Sequence, residues 1–324
     1  MKLSDLGEFG LIERIRARFP APQRAVGIGD DCAVLPQRDG QESLVSTDML
    51  IEGTHFLRDD ITPYQLGWKS AAVNLSDIAA MGGRPTGTLL FLALPADIPV
   101  EWIDAFLDGY AAASAPFDVP LLGGDTTASP DRICINVTVL GESPSGRGRL
   151  RSSAMEGDLI CVTGPLGDSA AGLKAILEGV ERDADVQALI DRHYLPKPRI
   201  KEGLELAANH QVHAMMDISD GIGSDLQHIL DASGVGAEIK VDDIPLSLAL
   251  KRVCKRFGWD PLALAIGGGE DYELLFTCNR YAEMVLTVPH FVIGRITPRQ
   301  SRPLFPHSGL DPESLGFDHF KKGR

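Results

Sequence analysis

Apolar and polar positions along this chain fall into blocks of changing period, and the blocks predict a mixed α/β protein. In DLGEFGLIERIRARF, Leu6, Phe9, Ile12, Ile15 and Phe19 recur at helical intervals and predict an N-terminal helix. Two strands follow, at 26–35 and 43–50. Residues 63–82 read as a long helix, opened by Thr62–Pro63 and closed by Gly82–Gly83. TGTLLFLAL (86–94) reads as a buried strand, 99–115 as a helix, and RICINVTVLGE (132–142) as an alternating strand. The stretch SPSGRGRLRSS (143–153) has almost no apolar content and marks a boundary. Beyond it the pattern restarts with the strand DLICVTG, the helix GDSAAGLKAILEG and a helix near 199–209. AMMDISDG is a strand, SDLQHILDASG a helix, 237–242 a strand and 246–257 a helix, and the strands YELLFTC and HFVIGRI complete the series. The expectation is an N-terminal α/β domain over 1–142, a linker over 143–153 and a C-terminal α/β domain over 154–324.

A length of 324 residues suits two such domains, and 44 % apolar with 23 % charged residues is a globular composition. The formal net charge of −14 argues against nucleic acid or an anionic membrane as the main partner. The five cysteines (Cys32, Cys134, Cys161, Cys254 and Cys278) are scattered and form no C-x-x-C pair, which fits thiols in a reducing cytosol. The N-terminus lacks a basic-then-apolar leader, and no apolar run approaches the roughly 20 residues of a membrane helix, so a cytoplasmic protein is expected.

The acids change this picture. GIGDD (27–31), STD (46–48), NLSD (74–77), GGDTT (123–127) and DISDG (217–221) share one grammar, with Asp beside Gly, Ser or Thr; GGGEDYE (267–273) joins them with Glu and Asp together. Any one cluster reads more simply as a turn or a helix cap. Asp77 resists that reading, because Lys69, Val73, Asp77 and Met81 share one face of a helix and an aspartate on an apolar face needs a partner. Strand alternation puts Ser46 and Asp48 on one side and Thr47 on the other, and aims Asp217 and Ser219 the same way. If these carboxylates meet in one cleft, each pair about 4 Å apart costs about 4 kcal/mol at an effective dielectric near 20. Cations must offset that. Oxygen donors select hard ions, Mg²⁺ above all, and no Cys/His cluster has zinc spacing. Magnesium held by carboxylates usually serves phosphate chemistry. P-loop and protein-kinase motifs are absent, and TGPLGDSAAG (163–172) reads as a tight strand-to-helix turn in preference to a phosphate cradle.

GIGDDCA, STDMLIEGTHF, NLSDIAAMG, GGDTT, DISDG and GGEDYEL, in this order, resemble the thiamine-monophosphate kinase family, from GEFGLI near the N-terminus to GFDHF near the C-terminus. Its superfamily also holds aminoimidazole ribonucleotide synthetase, selenophosphate synthetase and the hydrogenase maturation protein E. The resemblance implies a homodimer whose N-terminal strands join in a shared barrel. It also implies transfer of phosphate from ATP to thiamine monophosphate with several Mg²⁺ ions. Carried over by motif, Asp30, Ser46, Thr47, Asp48, Asp77, Asp125, Asp217 and Asp220 resemble the metal ligands, with Asp30, Asp77, Asp125 and Asp217 the expected catalytic set. Gly124, Asp125, Arg151 and Ser219 resemble nucleotide contacts, and His55, Glu270 and Phe317 resemble contacts to the thiamine part. Asp48 and Asp125 are assigned to the ATP side, and Asp30, Asp77 and Asp217 to the gap between donor and acceptor. Asp31 is read as a structural turn acceptor. The family's usual RSGA is RSSA here, at 151–154, beside Arg147 and Arg149. Alternatives are another ATP-dependent enzyme of the superfamily, or a non-catalytic Mg-nucleotide-binding scaffold; the lack of a reactive Cys in a glycine-rich N-terminal segment argues against selenophosphate synthesis.

Overall fold

The computed structural model describes residues 10–13, 16–17, 25–26, 28–37, 40–144 and 146–299. Phe317 and most of the N-terminal helix lie outside them. The first half folds around a five-stranded sheet of order β1-β2-β5-β3-β4, built from β1 (Ala33–Pro36), β2 (Gln41–Ile51), β3 (Arg84–Leu94), β4 (Leu121–Ala128) and β5 (Cys134–Pro144). Only the β3–β4 pair is parallel. Helices α1 (Pro63–Ala80) and α2 (Val100–Ser114) belong to this half. The second half holds an antiparallel sheet of order β7-β9-β6-β10-β8: β6 (Leu159–Val162), β7 (Val212–Asp217), β8 (Gly236–Ile239), β9 (Leu274–Cys278) and β10 (Phe291–Thr297). Around it lie α3 (Asp168–Leu177), α4 (Ala184–Tyr194), α5 (Ile200–Ala208), α6 (Ile222–Ser233), α7 (Leu248–Phe257), α8 (Pro261–Gly267) and α9 (Arg280–Glu283). The chain is thus a mixed α/β protein of two sheet-based halves, and neither sheet closes into a barrel.

Helix α1 organises the site. Thr62 caps it by accepting from the Gln65 N–H, while Gln65 reaches back to the Thr62 N–H, and Pro63 fits the first turn. It ends where Gly82 takes a left-handed φ of 65°. The helix is buried nearly all round, because both halves pack on it. One apolar cluster joins Leu66 and Val137 to Leu189 and Leu250; another joins Leu75 and Ile78 to Met215 and Phe276. Each such fully buried side chain contributes about 1.5–3 kcal/mol of transfer free energy. The two halves therefore share a core, and polar groups on α1 can reach loops of both.

The structure adds elements that the apolar pattern did not predict. Strand β4 carries GGDTT, and all eight of its residues are exposed. Its parallel partner β3 supplies a backbone so close that a Cβ on Gly124 would lie 1.7 Å from the Leu90 carbonyl oxygen. Helices α4 and α8 also went unread. The predicted strand at 26–35 is shorter: β1 starts at Ala33, and Val26 joins it by two backbone hydrogen bonds to Val34. Strand β5 runs on to Pro144, and Arg151–Ser153 make a single 3-10 turn.

Candidate active site

Four chain segments deliver carboxylates to one place. The β1 approach brings Asp30 and Asp31, β2 brings Asp48, α1 brings Asp77, and the end of β7 brings Asp217. Carboxylate oxygens of Asp31, Asp77 and Asp217 all lie within 4.8 Å of one another. Strand alternation explains β2: Leu44 and Leu50 are buried, so Ser46 and Asp48 face inward between them, while Thr47 and Met49 face out. Hydroxyls from neighbouring elements hold the acids in place. Ser46 donates to Asp77 at 2.5 Å, and Ser76 donates to Asp217 at 2.6 Å. The Asn74 side chain accepts from the Asp48 N–H at 3.1 Å. Strand and helix are further tied by the Cys32 thiol, 3.6 Å from the Asp77 carbonyl.

Among the described residues, the cation facing this cluster is Arg151. It grips Asp31 with two N–H groups, at 2.8 and 3.2 Å, and its backbone N–H donates to Asp30 at 3.3 Å. Arg149 points elsewhere, donating to the carbonyls of Ala207 and Asn209. Among the described residues, this one guanidinium does not balance the surrounding carboxylates. Burial, then the Asp31 charge, pushes Asp30 up to about 7 and Asp217 up to about 8. Burial and the same neighbour push Asp48 up to about 6, and burial with Asp48 and Asp217 lifts Asp77 well above the usual range. The site is poised for added positive charge.

A second region adjoins it. The loop GGGEDYE packs edge-on against DISDG. Glu270 N–H donates to the Ser219 carbonyl at 2.7 Å, and Tyr272 N–H donates to that of Ile218 at 2.9 Å. A Cβ on Gly269 would come 2.3 Å from the Ser219 oxygen, so only glycine allows the approach. Glu270 and Tyr272 adopt left-handed φ values of 63° and 50°. Each such residue stores strain of about 1–3 kcal/mol, a cost tolerated mainly at functional loops. Glu270 ends 2.8 Å from the buried ammonium of Lys69 and 3.2 Å from His193. Although burial raises it, Lys69 and then His193 hold Glu270 below its ordinary pKa. His55 is close enough to add to that effect, and its Nδ1 accepts from the Ile51 N–H at 3.0 Å.

Two of the expected site residues, Asp125 and Thr47, stand apart from this assembly. Asp125 is exposed on edge strand β4, where it accepts from the Thr126 N–H. Thr47 donates to the Val137 carbonyl on the outer face of the sheet. Asp220 sits in a turn organised by Asp225, which accepts from the N–H groups of Asp220 and Gly221. The start of α3, in TGPLGDSAAG, is already occupied: Asp271 accepts from the N–H groups of Gly167 and Ser169 at 2.7 and 3.3 Å. That fits a tight turn and leaves no open phosphate cradle.

The sequence reading missed Asp31, Lys69, Ser76 and His193. Lys69 had a signal, since it shares a helix face with Asp77. For His193, on the unread α4, there was none.

The AIR synthase related protein families match both halves, the N-terminal domain over residues 29–143 and the C-terminal domain over 155–300. The thiamine-monophosphate kinase of Escherichia coli (strain K12) is 43 % identical, over 97 % of this chain and 98 % of its own. That of Aquifex aeolicus (strain VF5) is 41 % identical, over 99 % of this chain and 100 % of its own. The structure of AaThiL complexed with AMPPCP and TMP superposes with a TM-score of 0.88 at 36 % identity, covering 98 % of this chain and 99 % of that one. With matches that run the whole length of both chains, the protein belongs to the thiamine-monophosphate kinase family of AIR synthase related proteins.

Proposed function

We propose that this chain is the kinase its relatives are named for, moving the γ-phosphoryl group of ATP onto thiamine monophosphate to give thiamine diphosphate and ADP. The observation that carries the reading is the meeting of Asp31, Asp77 and Asp217 oxygens within 4.8 Å, with too little positive charge nearby. The donor set is oxygen only, carboxylates backed by the Ser46 and Ser76 hydroxyls, which fits magnesium. Asp30, Asp31, Asp48, Asp77 and Asp217 would hold the ions. When bound, magnesium supplies the positive charge that lets two polyanions approach and steadies the charge of the transferred group.

The chain's own residues do the rest. The acceptor is a phosphate monoester with a second pKa near 6, so at neutral pH it is already a nucleophile and needs no base. Its oxygen bonds to the γ-phosphorus as the bond to the β–γ bridging oxygen breaks, and ADP leaves with that electron pair. Ser46, Ser76 and Asn74 fix the acids, and Arg151 holds Asp31 while placing a permanent cation beside the reaction. Glu270 and His55, in the adjoining region, face the ring-bearing part of thiamine monophosphate. Asp125 and Gly124, out on β4, are assigned to the nucleotide, as is Ser219 in the DISDG loop. The homodimer reading draws support from β4, whose residues are all exposed, and from Met49, Leu121 and Leu122, which are 54, 46 and 58 % exposed. A second copy covering this sheet would complete a shared barrel. Five free thiols suit a reducing cytosol, and no helix among the described residues is long and apolar enough to cross a membrane.

The test is direct. Pure protein incubated with ATP, Mg²⁺ and thiamine monophosphate should yield thiamine diphosphate by chromatography. ATP hydrolysis without that product, or no turnover at all, would overturn the assignment.

A further inference from the structure

Glu270 is balanced in a way that the acids of the cluster are not. Its Oε1 lies 2.8 Å from Lys69 Nζ, and its Oε2 lies 3.2 Å from His193 Nδ1. Lys69 is 1 % exposed and His193 2 % exposed, so both groups are withdrawn from water. The same Nδ1 lies 3.0 Å from the Ser169 hydroxyl, so the imidazole is held between Ser169 and Glu270. Burial, then the Lys69 ammonium, keeps that ring neutral by pushing its pKa down to about 3. Lys69 and Glu270 therefore sum to zero charge. Each carboxylate oxygen keeps a lone pair in reserve, and the Glu270 side chain is still 28 % exposed. A carboxylate with its charge already matched is a poor counter-ion, yet it remains a strong acceptor.

We propose that Lys69 and His193 are positioning residues that make Glu270 a charge-balanced acceptor, which reads an N–H donor on a neutral aromatic ring of the substrate and not its cationic ring. The inference rests on the reading of Glu270 as a substrate contact. In thiamine monophosphate the donor is the amino group of the pyrimidine, and the cationic ring is the thiazolium. Among the described residues, the titratable groups whose charges interact with Glu270 include Lys69 from α1, His193 from α4, His55 from the turn after β2 and Tyr272 from its own loop.

Two analogues separate the rings without any mutation. Oxythiamine monophosphate replaces the amino group by an oxo group, and deazathiamine monophosphate replaces the thiazolium by a neutral ring. With the intact protein and Mg-ATP, oxythiamine monophosphate should raise KM about tenfold, equivalent to about 1.4 kcal/mol, with little change in kcat. Deazathiamine monophosphate should stay within about threefold of the natural substrate. A penalty for the neutral ring as large as for the oxo analogue overturns the proposal. Lys69→Met should raise KM for thiamine monophosphate about tenfold while sparing KM for ATP, and should add nothing in a Glu270→Gln background. Additive effects there, or equal losses for both substrates, also overturn it. His193→Leu should raise the same KM, and His193→Asn, which restores a polar group between Ser169 and Glu270, should recover most of it. If Glu270→Gln leaves every KM unchanged, the substrate-contact reading is what fails.

Discussion

Asp217, at the end of β7, and Glu273, just before β9, are near neighbours, since Asp217 pairs with Leu274 across the two strands. Both are buried, at 3 and 0 % exposure, yet their surroundings are opposite. Glu273 is enclosed by the protein's own donors: Arg192 at 2.8 Å, Arg199 through two N–H groups, and the Thr163 hydroxyl at 2.7 Å. Asp217 has the Ser76 hydroxyl and a shared Arg151, against the charges of Asp31 and Asp48. A buried carboxylate needs a partner wherever it sits. Where the chain supplies that partner, the acid is scaffolding; where it withholds it, the ligand is expected to bring it.

This contrast can be broken by experiment. The largest effect should come from Asp77→Asn or Asp30→Asn, each expected to cut turnover about ten-thousand-fold, a barrier increase of about 5.5 kcal/mol. Circular dichroism should show the fold intact, and melting without Mg²⁺ should be no lower than that of the parent. Near-normal activity would remove that acid from the ion-binding set. Glu273→Gln should do the reverse, lowering stability by about 3 kcal/mol in urea unfolding while kcat of the folded fraction holds. An inactive but fully stable variant would erase the distinction between the two acids.

Ligand effects should be next in size. Mg-ATP at about 100 times its Kd should stabilise the protein by about 2.7 kcal/mol, seen as a higher melting temperature. The absence of any shift at millimolar Mg-ATP would argue against a site built for ions. The pH dependence is smaller and has a definite sign. Asp30, Asp48 and Asp217 titrate near 7, 6 and 8 when folded, all above the value of about 3.9 for an unfolded chain. Raised folded pKa values mean that the folded state binds the extra protons. Stability of the ion-free protein is therefore full below about pH 4 as far as these groups go, and is lost as pH rises through 6 to 8, by up to about 1.4 kcal/mol per pH unit for each proton. Melting curves between pH 5 and 8 should show this slope without Mg²⁺ and a flatter one with it. Identical slopes would mean that the cluster is not where the ions act.

The aspartate clusters were legible because their setting was wrong for solvent: Asp77 lies on an apolar helix face, and Ser46 and Asp48 fall on the inward side of a strand between Leu44 and Leu50. The long α1 was equally plain, with its Thr62–Pro63 opening and glycine exit. Strand β4 was missed because LLGGDTTA has two glycines and no alternation, and its residues face no core in the single chain. Helix α4 was missed because DADVQALIDRHY mixes charge with its apolar stripe. Asp31 looked like half of a turn, since nothing local reveals a guanidinium arriving from 120 residues away. Partners joined only by tertiary packing leave no periodic trace in either segment.

Helix α1 also acts as a gauge. Lys69 grips the acid assigned to the ring end of the substrate, and Asp77 stands among the acids assigned to its phosphate end. Eight residues separate them, a rise of about 12 Å along a rod clamped by packing on nearly every side. On that assignment, the distance between the two ends of the ligand is set in part by this stiff element, against which the loops carrying Glu270 and Asp31 are packed. An acceptor one methylene longer or shorter between ring and phosphate would engage one end only, so chain length itself becomes a criterion of selection.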